Sequence, residues 1–85
     1  MNDQTHDVLQ EVSNERVRQD AKWGEQNHAI PLWVMIAVEE MGEAAQAGLQ
    51  GKYQEYRQEL IQLAAVAVAA VEAFDRARKE KPEEE

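Results

Sequence analysis

The stretch Val38–Glu39–Glu40–Met41–Gly42–Glu43 puts three carboxylates into little more than one turn of an otherwise apolar segment. Trp33, Met35, Ile36 and Ala37 precede it, and Ala44, Ala45 and Ala47 follow. Apolar residues at Trp33, Ile36, Ala37, Ala44 and Ala47 recur at three-and-four spacing, which predicts a helix from about Pro31 to Leu49. Extending that stripe places Glu40 directly on it, with Glu43 at its flank and Glu39 further round. Like charges three or four apart destabilise an isolated helix by roughly 0.2–0.5 kcal/mol. The cost is larger on a buried face unless something positive sits between them. A carboxylate within an apolar stripe is not a solvated-face residue, and the question becomes what offsets its charge.

Downstream, Gly48–Leu49–Gln50–Gly51 ends this helix, and either glycine can take the left-handed C-terminal position. A third helix is expected from Lys52 or Tyr53 to about Lys79. Its segment Ile61–Val71 is apolar except for Gln62, and its small residues permit close helix approach. Pro82 stops it, which leaves one domain over residues 1–81 and an acidic, disordered tail at 82–85. Upstream, Val8, Leu9, Val12 and Val17 form a weak stripe on a first helix, Asp3 to Lys22, capped by Asp3 or Thr5. Its Glu11, Glu15, Arg16, Arg18 and Asp20 read most simply as a solvated face. Between the first two helices lies the one stretch with loop chemistry, Lys22–Trp23–Gly24–Glu25–Gln26–Asn27–His28–Ala29–Ile30–Pro31. Pro31 suits a first helical turn, preceded by Asn27, His28 or Ile30. Ring faces and amide edges of this kind suit a base-binding pocket. They equally suit a Trp23 packed on the core and amides that cap helices.

The expected fold is all-α, three helices in an antiparallel bundle completed by oligomerisation into four-helix-bundle-like packing. Eighty-five residues bury only about 60–65% of the unfolded surface, and a helix apolar all round needs enclosure. With no cysteine, neither a disulfide nor a thiolate metal site can staple the chain. A net charge of −8 disfavours nucleic acid as a partner. The apolar run is shorter than the roughly 20 residues a membrane helix needs. The polar start (Asn2 to Asp7) lacks a signal-peptide core, so a cytoplasmic location is expected.

Two polar pairs stand out: Glu40 with Glu43 on the second helix, and Glu59 with Gln62 on the third. A short glycine turn makes these helices antiparallel neighbours, so the pairs converge. Four oxygen-bearing side chains from two helices are what a hard divalent cation requires, and magnesium takes its remaining ligands from water and phosphate. Such a cation offsets the carboxylates and attracts an anionic phosphate chain. The plain alternative is exposed glutamates that serve solubility, since glutamate is a good helix former.

Together, Glu39–Glu40–Met41–Gly42–Glu43 and Glu59 to Gln62 resemble the Glu-Glu-x-x-Glu and Glu-x-x-Asp motifs of the all-α nucleoside triphosphate pyrophosphohydrolases, in particular the small MazG-like proteins of bacteria and phages. Glu15 to His28 and Gln62–Leu63–Ala64–Ala65–Val66–Ala67 resemble one branch of that family, so the similarity spans about Glu15 to Glu72. The resemblance implies Mg²⁺-dependent hydrolysis of a (deoxy)nucleoside triphosphate to the monophosphate and pyrophosphate, with Mn²⁺ as an alternative cation, and a role in nucleotide-pool house-cleaning. It implies Glu40, Glu43 and Glu59 as metal ligands, Gln62 as a weaker neutral fourth, and Glu39 to orient or deprotonate the attacking water or to hold a second metal. A homodimer or homotetramer follows as well. Gln62 stands where the family usually has aspartate, which removes one negative charge. Arg76, Arg78, Lys79 and Lys81 do not match the family's later phosphate-holding residues, so phosphate contacts fall to Arg16, Arg18 or Lys22. Base recognition falls to Trp23, Asn27, His28 and Trp33, although Trp33 is read first as core packing. A nucleotide-binding or regulatory helical oligomer without turnover is the alternative expectation.

Overall fold

Asn2 begins the first helix. Its side-chain oxygen accepts the Thr5 backbone N–H at 2.7 Å, so the cap lies one residue before Asp3 and not at Asp3 or Thr5. The computed structural model describes residues 1–80 and carries three helices with no strand among them: α1 (Asp3–Trp23), α2 (Ile30–Leu49) and α3 (Tyr53–Glu80). The all-α expectation holds. The tail at 82–85 and its Pro82 stop lie outside the described residues. Gly24 ends α1 at φ 76°, its N–H donating to the Asp20 carbonyl at 2.8 Å. Ala29, rather than Asn27, His28 or Ile30, precedes α2, and Pro31 sits in the first turn, where its missing N–H leaves nothing unpaired. Gly51, at φ 75°, is the glycine that makes the left-handed turn after α2, and the Lys52 N–H donates to the Ala47 carbonyl at 2.9 Å.

That turn folds α3 back along α2 as a hairpin. Ala44 and Ala65 are almost wholly buried, and Ala47, Ala69 and Ala73 nearly so. Small side chains at these positions let backbones come close. Trp33 packs against Val66, Ala69 and Ala73, flanked by Ile36, Ala37 and Ala70. α1 packs on α3 alone, and no Cα of α1 comes within 8 Å of one in α2. The stripe expected through Leu9 and Val17 is rotated: those two are exposed, and Val12 and Gln19 are the buried residues of α1. The reason is spacing, because Val12 and Gln19 are seven apart and share one face whereas Val17 does not.

Ion pairs hold α1 and the loop in place. Arg57 donates to both Glu11 carboxylate oxygens (2.8 and 2.7 Å), and Arg16 reaches Glu72 at 2.7 Å. Arg76 donates to Asn27 Oδ1 (2.9 and 3.0 Å) and to the Gln26 carbonyl (3.1 Å), which fastens the α1–α2 loop to the end of α3. No described helix is long and apolar enough to cross a membrane.

The close approach at Ala65 gives a direct check. Ala65→Leu forces extra methylenes into a site with no exposure and is expected to cost about 1–3 kcal/mol. Thermal unfolding followed by circular dichroism reads this as a melting temperature lowered by several degrees.

Candidate functional site

The hairpin brings Glu40, Glu43 and Glu59 to one place. One carboxylate oxygen from each of Glu40, Glu43 and Glu59 lies within 4.8 Å of the other two. Glu40 and Glu43 come from successive turns of α2, and Glu59 from the second turn of α3. Glu40 and Glu59 are half-buried and Glu43 is exposed. Burial, together with the neighbouring Glu43 and Glu59, pushes the Glu40 carboxyl up to about 7. Burial and Glu43 also raise Glu59. Glu59 Oε1 has no exposed surface and no hydrogen-bond partner. A proton held at Glu40, and an oxygen left unpaired at Glu59, are what a hard cation would replace and satisfy. The donor set therefore fits a divalent ion held by oxygen ligands, with room for water or phosphate on the exposed side of Glu43.

Beside Glu40 the gap between α1 and α2 forms a cavity of about 200 Å³. Trp33, Ile36, Val66 and Ala69 give it an apolar floor. Its polar rim carries Gln19, Gln26, Gln62 and Glu40, and Trp23 closes one side. Gln62, from α3, and Glu40, from α2, both line this cavity. The structure brings together Trp23, Trp33, Glu40 and Gln62 among the expected site residues.

Others stand elsewhere. Glu39 is exposed and outside the three-carboxylate cluster. Lys22 lies over the Trp23 ring, 4.7 Å from its centroid. Asn27 is held by Arg76 and itself donates to Glu25. His28 packs edge-on against Trp33, with ring centroids 4.8 Å apart. Arg16 is paired with Asp20 and Glu72 and lines a neighbouring hollow, not this cavity. Trp33 packs in the core, as it is read first, and its ring also lines the cavity.

The cavity also uses residues assigned to a solvated face. Glu15 keeps only 12% of its side chain exposed; it receives both Arg18 nitrogens (2.9 and 2.6 Å), which hold its carboxyl below the usual range. Gln19 is the one buried polar residue among those described, and its amide bonds to Glu15 and Arg16 are both long at 3.4 Å. Such an edge can be given to a ligand at small cost. Its signal was present in the sequence: Gln19 continues the Val8–Val12 stripe, as Glu40 continues that of α2.

The raised Glu40 carboxyl fixes a pH dependence. Between an unfolded value near 4.5 and a folded value of about 7, the folded chain keeps a proton that the unfolded chain loses. Stability therefore falls as pH rises through that window and stays lower above it. Without divalent ions the melting temperature is expected to be lower at pH 8 than at pH 5.5, and Glu40→Gln is expected to shrink the difference. Adding Mg²⁺ should raise the pH 8 value more than the pH 5.5 value, as differential scanning fluorimetry can show.

No protein-family model, curated protein or solved structure matches this chain. The functional reading accordingly stands on the geometry of the carboxylate cluster and its adjoining cavity.

Proposed function

We propose that the chain is a Mg²⁺-dependent pyrophosphohydrolase of MazG-like type, which cleaves a (deoxy)nucleoside triphosphate to the monophosphate and pyrophosphate. The observation that carries this reading is adjacency. A three-carboxylate cluster opens onto a cavity with an apolar aromatic floor and an amide rim. A nucleotide has the matching parts, a flat heteroaromatic ring and a polyphosphate that needs a cation in so acidic a setting.

In this reading Trp33 and Trp23 hold the base, and the Gln19 amide reads its edge. Glu40, Glu43 and Glu59 hold the cation, with Gln62 beside them. Bound there, Mg²⁺ supplies charge neutralisation on the phosphate oxygens. Water adds at the α-phosphorus, the bond to the bridging oxygen breaks, and that oxygen leaves with pyrophosphate. The proton of the attacking water passes to Glu39, the nearby carboxylate left outside the cluster and open to solvent. The chain works as a cytoplasmic guardian of the nucleotide pool.

A second reading keeps binding and drops turnover. Gln62, a neutral group where a fourth carboxylate would stand, favours it. A panel of canonical and modified nucleoside triphosphates with Mg²⁺, analysed for products, separates the two. Monophosphate and pyrophosphate are expected from at least one nucleotide, and Glu43→Gln should lower that rate at least a hundredfold while leaving the fold intact. Inorganic phosphate with diphosphate would place the cleavage elsewhere. Binding without product would favour the second reading.

The working unit in this proposal is a homodimer or homotetramer. The accessible surface, 6449 Å² for 9.7 kDa, exceeds the roughly 5,100 Å² of a typical folded monomer of that mass. Two uncharged stripes remain open, Val34, Val38 and Met41 on α2 and Ala67, Val71 and Phe74 on α3. In a chain of net charge −8, surfaces without charge are where two copies meet without repulsion. Sedimentation at micromolar concentration should show a dimer or tetramer, and Val38→Glu with Met41→Glu should reduce it to monomer. A monomeric wild-type chain would remove this part of the proposal.

A further inference from the structure

The carboxylate cluster has two sides, and only one of them faces the base cavity. Glu40 opens to that cavity, while Glu43 and Glu59 form the wall of a second hollow of about 360 Å³ at the α2–α3 turn. Gln46, Gln50 and Lys52 line the remainder, with Glu55 at its edge. We propose that this hollow receives the terminal phosphates of the nucleotide, the part that leaves as pyrophosphate, and that Lys52 is its cationic anchor. The proposal rests on the pyrophosphohydrolase reading above.

The placement follows from the order of parts in the ligand. With the ring among the tryptophans and the α-phosphorus at the cluster, the phosphate chain must continue past Glu43 and Glu59. It then enters a space lined by three glutamates, which repel it, and by one cation. Lys52 is the only basic residue of this lining. Elsewhere the arginines are already engaged: Arg16 with Glu72, Arg18 with Glu15, Arg57 with Glu11 and Arg76 with Glu25. Lys22 lies over Trp23. Among the described residues no ion pair holds the Lys52 ammonium, although Glu55 stands three residues away. Its backbone, by contrast, is fixed at both ends. Its N–H donates to the Ala47 carbonyl and its own carbonyl accepts the Tyr56 N–H, each at 2.9 Å. Only the side chain needs ordering when an anion arrives. Gln46 and Gln50 supply amide donors to oxygens that the ammonium leaves uncovered. The basic residues at the end of α3 are not needed for this task; Arg76 serves the loop.

Titration calorimetry in Mg²⁺ with two probes, inorganic pyrophosphate and the nucleoside monophosphate, tests the assignment. Both are products and are not consumed. Lys52→Gln should raise the Kd for pyrophosphate about tenfold, the loss of one charge-assisted contact, and leave the monophosphate Kd within about twofold. Lys52→Arg should restore most of the pyrophosphate affinity. An unchanged melting temperature shows that the exposed side chain was not needed for folding. If wild-type protein releases pyrophosphate from a triphosphate but Lys52→Gln binds pyrophosphate as wild type does, Lys52 is not the anchor and the enzyme reading stands. If the wild-type chain neither binds pyrophosphate nor releases it, both fall.

Discussion

Close packing of α2 on α3 brings three carboxylates within 4.8 Å of one another, and the rest of the molecule is arranged around that repulsion. Alanines at 44, 47, 65, 69 and 73 allow the approach. Without a cation, the hairpin offsets the clustered charge by keeping Glu40 protonated far above its ordinary range. The same burial that packs the helices therefore gathers a donor set that could hold a positive ion. Folding and the proposed chemistry draw on one feature, so substitutions at the cluster should affect both in opposite directions.

α1 completes the site by what it leaves open. It packs on α3 and stands off α2, and the space between becomes the cavity beside Glu40. The Arg57–Glu11 and Arg16–Glu72 bridges tie α1 to α3, while Arg76 ties down the loop that carries Gln26. Individually, exposed ion pairs contribute about 0–1 kcal/mol. Their value here is geometric, because α1 has few buried apolar side chains to set its position. On the hairpin, Val34, Val38 and Met41 of α2 and Ala67, Val71 and Phe74 of α3 remain exposed as two uncharged stripes.

Much of this was legible in the sequence. Three-and-four periodicity gives α2 and α3 to within a residue or so of their ends, and Glu40 on an apolar stripe points to the cluster. What was not legible has physical reasons. Asn2 rather than Asp3 or Thr5 caps α1, because all three side chains can cap and local geometry chooses. Val17 is exposed and Gln19 buried because the weak stripe Val8, Leu9, Val12 and Val17 does not lie on one helix face: Gln19 shares the side of Val8 and Val12, and Val17 lies nearly opposite it. Asn27 and His28 carry the amide and ring chemistry of a pocket, yet Arg76 and Trp33 use them. A residue type indicates what a side chain can bind, and only the fold settles which neighbour arrives first.

The central claim is that Glu40, Glu43 and Glu59 form a divalent-cation site. Electron paramagnetic resonance of Mn²⁺ titrated into the protein at pH 8 tests it without any substrate. Bound Mn²⁺ loses the sharp six-line signal of the free ion. Wild-type chain is expected to remove that signal in proportion to protein, and the Glu40→Gln, Glu59→Gln double variant to leave it close to that of buffer. A wild-type signal equal to buffer, or one removed equally by the variant, would contradict the account.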